Sequence, residues 1–235
     1  MNQSFKSQAV TGQESSSLAS YFKSERLRVY QKGEIIIGLQ DPIEGCFYVD
    51  SGFVRVLNRS TNGNNEFVYI IYGPGDVIPI GSLIQHHQLR SFYEAMDNCR
   101  LYMMRADTFN QKIETDIKFA NVMLKQACIQ LTYYTERVLT LEMKFARERL
   151  VSSILFLAQR FGRRADDIII LPSLSQRDIA VSSNLSRESV SREIERLMRK
   201  GLIDYNKRII TIKNLPGLLK EVPRFEGQIF PKEFQ

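Results

Sequence analysis

The stretch from Leu174 to Ile212 constrains the fold more than any other, because helix-starting, turn-forming and hairpin-forming residues follow one another there without slack. Ser175-Gln176-Arg177-Asp178 reads as a helix start, the Ser175 hydroxyl accepting from free amides and Asp178 answering back three residues on. Ile179 and Ala180 give that helix a buried side. Ser182-Ser183-Asn184 ends it, since these side chains compete for backbone hydrogen bonds and asparagine tolerates a left-handed turn. Ser186 caps a second helix, on which Val190, Ile194 and Leu197 form one apolar stripe. Glu188, Arg192, Glu195 and Arg199 project from the opposite side at about 100° per residue, and Arg187 stands in the first turn. Gly201 stops the helix, and Leu202 to Tyr205 with Arg208 to Ile212 make a two-stranded wing with Asn206-Lys207 at its turn.

A helix held by one side and armed with Arg, Glu, Ser and Arg on the other suits a major groove, where arginine bonds guanine in bidentate fashion and glutamate accepts from cytosine. An ordinary solvated helix face carries similar charges; the preceding helix, the turn and the hairpin favour the groove. Charge points the same way. Residues 144–235 hold 18 Lys+Arg and 11 Asp+Glu, whereas residues 1–143 hold 14 and 15, so the net +6 divides into +7 and −1. A basic surplus around such a unit is the footprint of phosphate binding to double-stranded DNA.

The remaining chemistry is sparse. Cys46, Cys99 and Cys128 follow neither metal-ligand nor disulfide spacing and read as structural thiols, and the adjacent His86 and His87 read as solvated rather than ligating. No nucleophile with an evident base, no His and carboxylate at motif spacing and no phosphate-cradling glycine loop is found, so no catalytic or metal site is assigned and the chain is not read as an enzyme. A ligand-sensing or scaffold protein whose winged helix contacts other proteins is the alternative. No apolar run approaches the ~18 residues of a membrane span, and the polar first thirty residues lack a signal pattern, which places the chain in the cytoplasm.

Upstream, residues 1–20 read as a flexible tail rich in Ser, Gln and Asn. From Leu27 to Met104 come short apolar or alternating runs: Leu27–Tyr30, Glu34–Ile37, Cys46–Val49, Phe53–Asn58, Glu66–Tyr72, Val77–Ile80, Phe92–Ala95 and Leu101–Met104. Turn residues such as Lys32-Gly33, Ser51-Gly52 and Pro74-Gly75-Asp76 separate them, which indicates a small antiparallel barrel or sandwich. Around Ala106 the period changes, and a heptad runs from Asp116 onward. Ile117, Leu124, Leu131, Val138 and Phe145 recur every seven residues, with Ala120, Ala127, Tyr134 and Leu141 between them, predicting a long helix that packs along a narrow seam. The same helix of a second copy is the simplest partner, because a dimer presents two recognition helices to two half-sites; a helix lying on its own barrel would use part of the same stripe. Lys144 to Glu148 reads as a hinge. An amphipathic helix through Leu150, Ile154, Leu157 and Phe161 follows, then a strand over Asp166–Pro172, and Leu215, Leu218 and Leu219 suggest a last short helix.

The order of parts and the segment Ser186-Arg187-Glu188-Ser189-Val190-Ser191-Arg192 resemble the catabolite activator and fumarate-nitrate regulator (Crp-Fnr) family of bacterial transcription regulators, whose matching segment is Ser-Arg-Glu-Thr-Val-Gly-Arg. The resemblance implies an α+β fold: a flexible tail (1–20), an N-terminal β-roll of the cyclic-nucleotide-binding jelly-roll type (21–112), a long dimerisation helix with hinge (113–146), and a C-terminal winged helix-turn-helix (147–235). It implies a homodimer that regulates transcription with RNA polymerase as a partner. Arg187 and Arg192 would bond guanine edges and Glu188 a cytosine amino group, with Ser186 and Ser191 beside them, on a palindrome with half-sites related to TGTGA. In the β-roll, Arg90-Ser91 falls where cyclic-nucleotide-binding members carry an Arg-Ser pair for the cyclic phosphate, and Tyr134-Thr135 corresponds to a Thr-Ser pair that contacts adenine. Pro79-Ile80 replaces the Gly-Glu that would hold the ribose, which weighs against cyclic AMP; Arg90, Ser91 and Thr135 stay as the effector-binding residues for an unknown small effector, with no cofactor assigned. Residues before Leu27 hold no cysteine for iron-sulfur sensing.

Overall fold

The computed structural model describes residues 18–59, 66–85 and 89–222. Among these, the chain divides into two compact units, one up to Tyr134 and one from Thr135 onward, the division falling inside the long helix.

The first unit is built on two four-stranded antiparallel sheets. One contains β1 (Arg26–Tyr30), β8 (Cys99–Arg105), β3 (Gly45–Ser51) and β6 (Val77–Ile78), in that order. The other runs β2 (Ile35–Ile37), β7 (Phe92–Ala95), β4 (Val54–Arg59), β5 (Glu66–Tyr72). Gly33, Gly52 and Gly75 all take positive φ at the turns predicted from their positions. At Gly52 a Cβ would also lie 2.7 Å from the Asn98 carbonyl, so only glycine lets that turn close.

Two elements of this unit differ from the sequence reading. Composition assigned residues 18–20 to a flexible tail, but residues 18–22 form helix α1, with Leu18 and Phe22 fully buried against Tyr48, Phe109 and Phe119. The apolar run Val77–Ile80 is not one strand: β6 stops at Ile78, before the amide-less Pro79, and Ile80 opens helix α2 (Ile80–Gln85) with its side chain in the core. Helix α3 (Ala106–Thr115) then precedes the long one.

Helix α4 (Ile117–Glu142) begins where Asp116 accepts from the amides of Lys118 and Phe119, both at 3.0 Å. Phe119 and Met123 pack into the β-roll core, while Gln126 and Gln130 donate to the carbonyls of Gly75 and Val77. The helix thus lies on its own β-roll mainly by a face other than the series Ile117 to Phe145, although Ala127 and Tyr134, which alternate with that series, also touch the β-roll. Ile117, Leu124, Leu131, Val138 and Phe145 are 57–72% exposed, far above what side chains of this size keep when they serve a core.

In the second unit, α5 (Ala146–Phe161) follows a break at residues 143–145, which overlaps the predicted hinge only at Lys144 and Phe145, because Ala146 to Glu148 already form the first turn of α5. Its Leu150, Ile154 and Leu157 are buried as their spacing requires, facing α6 (Gln176–Ser183) and α7 (Arg187–Arg199). The sheet of this unit has the order β11 (Ile203–Asn206), β12 (Ile209–Ile212), β10 (Ile168–Ser173), β9 (Arg163–Ala165). Strand β9 is polar and was not anticipated. Helix α8 (Leu215–Leu219) closes the described chain, and just beyond it Glu221 accepts from Arg147 at 3.5 Å and Lys200 at 2.5 Å, tying the start of α5 to the end of α7.

The wing turn also sits one residue later than predicted. Asn206 still pairs with Ile209, so Lys207 and Arg208 form the two-residue loop, at φ +47° and +67°. Both central residues at positive φ make the kind of turn whose twist suits a hairpin, usually built from Asn and Gly.

Candidate nucleic-acid interface

The two helices that carry the interface are fixed at both ends by local hydrogen bonds. The Asp178 amide donates to Ser175 Oγ at 3.1 Å and the Ser175 amide to Asp178 Oδ2 at 2.9 Å, so each group satisfies an amide that the helix start leaves free. At the other end of α6, Asn184 is left-handed (φ 52°, ψ 50°) and the Leu185 amide reaches back to the Ala180 carbonyl at 2.9 Å. That reversal turns the chain within two residues. Ser186 then caps α7 by accepting from the Ser189 amide at 3.1 Å.

Val190, Ile194 and Leu197 are buried, which fixes the rotation of α7 about its axis. Arg187, Glu188 and Arg192 are exposed and Ser191 is half-buried. Arg187 with Ser191 and Glu188 with Arg192 are four apart, so all share one face of the first two turns. Arg192 Nη2 donates to Ser189 Oγ at 3.4 Å, a long contact that leaves the guanidinium mostly in solvent. The Glu188 carboxyl is held below its usual range, first by its own backbone amide, then by the Ser186 hydroxyl, with Arg187 and Arg192 adding to it. It is therefore a charged, acceptor-only group at neutral pH. Ser186 is on the same surface, but its oxygen is engaged in the cap.

The wing is fastened to this pair of helices. Tyr205 donates its phenol to the Leu174 carbonyl at 3.0 Å, and the Leu174 amide donates to the Arg208 carbonyl at 2.7 Å, so the residue before the α6 cap is held at the wing. Lys207 and Arg208 are exposed at the tip. A basic tip beside a capped, charged helix start can meet phosphates while the helix reads base edges.

The predicted effector residues lie on separate elements. Arg90 is exposed on the loop before β7, and Ser91 is half-buried next to it. Thr135 is exposed on α4 and belongs to the other compact unit. Ile80, where the ribose carboxylate would stand, is 1% exposed in the β-roll core. Tyr134 shares a hydrogen bond of 3.1 Å with the buried Tyr72, whose phenol, like that of Tyr93, is pushed up in pKa by burial. On the paired strands β4 and β7, Arg55 and Glu94 form a largely buried ion pair at 2.5 Å. At the two positions where the resemblance implies a ribose carboxylate and an adenine contact, the structure has a buried aliphatic side chain, Ile80, and a phenol bonded to Tyr72.

Among the described residues no three metal-ligating side chains converge; His86 and His87 lie outside the described residues. Cys46 and Cys99 are buried, and burial pushes both thiols up in pKa, so neither is a reactive thiolate. No described helix is long and apolar enough to cross a membrane. Sequence reasoning missed Arg137 and Arg149, which donate to the carbonyls of Ser182 and Asn184 at the turn between α6 and α7. Their partners lie 45 and 35 residues away, and no local spacing signals them.

Comparison with known proteins agrees with this layout. Residues 27–116 match the cyclic nucleotide-binding domain, and residues 148–221 match the Crp-like helix-turn-helix domain. Electron transport regulator A of Shewanella oneidensis is 28% identical over 192 residues, covering 80% of this chain and 75% of that protein. The anaerobic regulatory protein of Haemophilus influenzae is 24% identical over 199 residues, covering 83% of this chain and 76% of its own. Among solved structures, FixK2 from Bradyrhizobium japonicum has the same fold at a TM-score of 0.75 and 24% identity, covering 85% of this chain and 98% of that one. A CooA variant from Carboxydothermus hydrogenoformans gives 0.70 and 23%, covering 86% and 89%. A β-roll of the cyclic-nucleotide-binding type, a long helix and a winged helix-turn-helix, matched in this order, place the chain in the Crp-Fnr family of transcription regulators, which are not enzymes.

Proposed function

We propose that this regulator acts in the cytoplasm as a homodimer on a palindrome with TGTGA-like half-sites. The observation that carries the reading is the start of α7, where buried Val190, Ile194 and Leu197 aim exposed Arg187, Glu188 and Arg192 outward together. In this role Arg187 and Arg192 bond guanine O6 and N7, Glu188 accepts from a cytosine amino group, and Ser186 and Ser191 flank them at the backbone. The exposed apolar series from Ile117 to Phe145 supports pairing of α4 with its copy, which supplies the second recognition helix. RNA polymerase is the partner through which binding acts on transcription. A small effector at the β-roll would act through Arg90, Ser91 and Thr135 and have a chemistry other than a cyclic nucleotide's.

Selection of bound sequences from random DNA, with and without a small-metabolite extract, tests the proposal. A palindrome with TGTGA-like halves is expected. Arg192→Ala should cost about 1 to 3 kcal/mol and relax one position of each half-site. Undiminished selectivity in that variant would remove Arg192 from the reading, and a motif that appears regardless of extract would count against obligatory effector control. Retention on DNA that does not fall with salt would point to protein contacts instead.

A further inference from the structure

Only two residues separate the carbonyl end of α6 from the cap of the recognition helix, and the last turn of α6 contains no basic residue of its own. A helix end leaves carbonyls without intrahelical donors and carries partial negative charge. Here the Asn184 and Leu185 amides serve Ala180, with Asn184 also reaching Val181. The Ser182 carbonyl accepts from Arg137 Nη1, and the Asn184 carbonyl accepts from Arg149 Nη1 at 3.4 Å. Arg137 is on α4, before the break at residues 143–145, and Arg149 is on α5, after it. The two guanidinium groups therefore hold one turn from both sides of the hinge.

We propose that Arg137 and Arg149 are positioning residues for DNA reading: they brace the turn between α6 and α7 against the end of α4 and the start of α5, and so set the aim of the recognition helix. Val138, beside Arg137, belongs to the exposed apolar series, so the brace begins where the seam of α4 runs. Burial lowers the pKa of the Arg137 guanidinium to about 10, which leaves it charged at neutral pH.

The inference rests on the DNA-binding reading, so the test uses the full chain on the site it selects and on random-sequence DNA at the same salt. If wild type selects no site, that reading fails; the brace is judged by the variants of a protein that does. Arg137→Met should weaken the selected-site complex roughly tenfold while random-sequence affinity changes less than about twofold, because phosphate contacts do not depend on the aim of one helix. Arg137→Lys should recover part of the loss. Amide hydrogen exchange at residues 183–189, without DNA, should quicken in Arg137→Met. Arg149→Met, which removes an exposed hydrogen bond and spares the fold, should show the same split at smaller size and serves if Arg137→Met does not fold. Selected-site affinity within twofold of wild type in the folded variants, or equal loss on both DNAs, overturns the proposal.

Discussion

Single residues decide how sharply the two interface helices are set. Asn184 holds the left-handed position that reverses the chain, and a residue with Cβ but no local hydrogen-bonding side chain strains there. Asn184→Ala should lower stability by about 1 kcal/mol in chemical denaturation, whereas Asn184→Gly should stay near wild type. Glu136 is a different case. Burial, only partly opposed by Arg160, raises its carboxyl to about 7 from an ordinary 4.5, so the fold prefers the protonated form. Its contribution is whole below the ordinary value and is lost as the pH rises toward about 7. Glu136→Gln should therefore melt above wild type at pH 8 and close to it at about pH 4, as thermal scans at the two pH values would show. The Ser175 and Asn184 roles were legible in the sequence because each rests on bonds to near neighbours. Arg137 was not: a charged residue in a helix reads as solvated, and only the fold reveals the carbonyl it meets.

Elements were legible to the extent that side-chain periodicity made them. The stripe Val190, Ile194, Leu197 and the apolar runs of most β-roll strands appeared where expected, since burial selects those residues directly. Strand β9 is formed by backbone pairing of Arg163, Arg164 and Ala165 with β10, which leaves no apolar signature. Ile80 misled for the opposite reason, being apolar and buried as a strand residue would be, but on α2. The long helix separates two functions that one heptad pattern blended: Phe119, Met123, Gln126 and Gln130 serve the β-roll, and the series from Ile117 to Phe145 faces outward. Leu131→Glu places a charge in the middle of that outward series. It should yield a folded monomer in analytical ultracentrifugation at concentrations where wild type is dimeric; a dimer of unchanged affinity would move the interface elsewhere.

For the whole molecule, the charge split and the exposed seam have different observable consequences. If folding and pairing are coupled, the thermal midpoint rises with protein concentration, and the rise should vanish in Leu131→Glu. The β-roll retains the family's architecture, while Ile80 is buried in its core and Tyr134 bonds Tyr72, so architecture was easier to read than input. The wing turn shows the same division between fold and task. Two residues with Cβ atoms occupy left-handed positions that Asn and Gly would fill with less strain. Glycines there would make a sturdier hairpin with nothing to offer a phosphate. Lys207 and Arg208 make a tip less stable than it could be, and that margin of stability is exchanged for two exposed positive charges at the end of the wing.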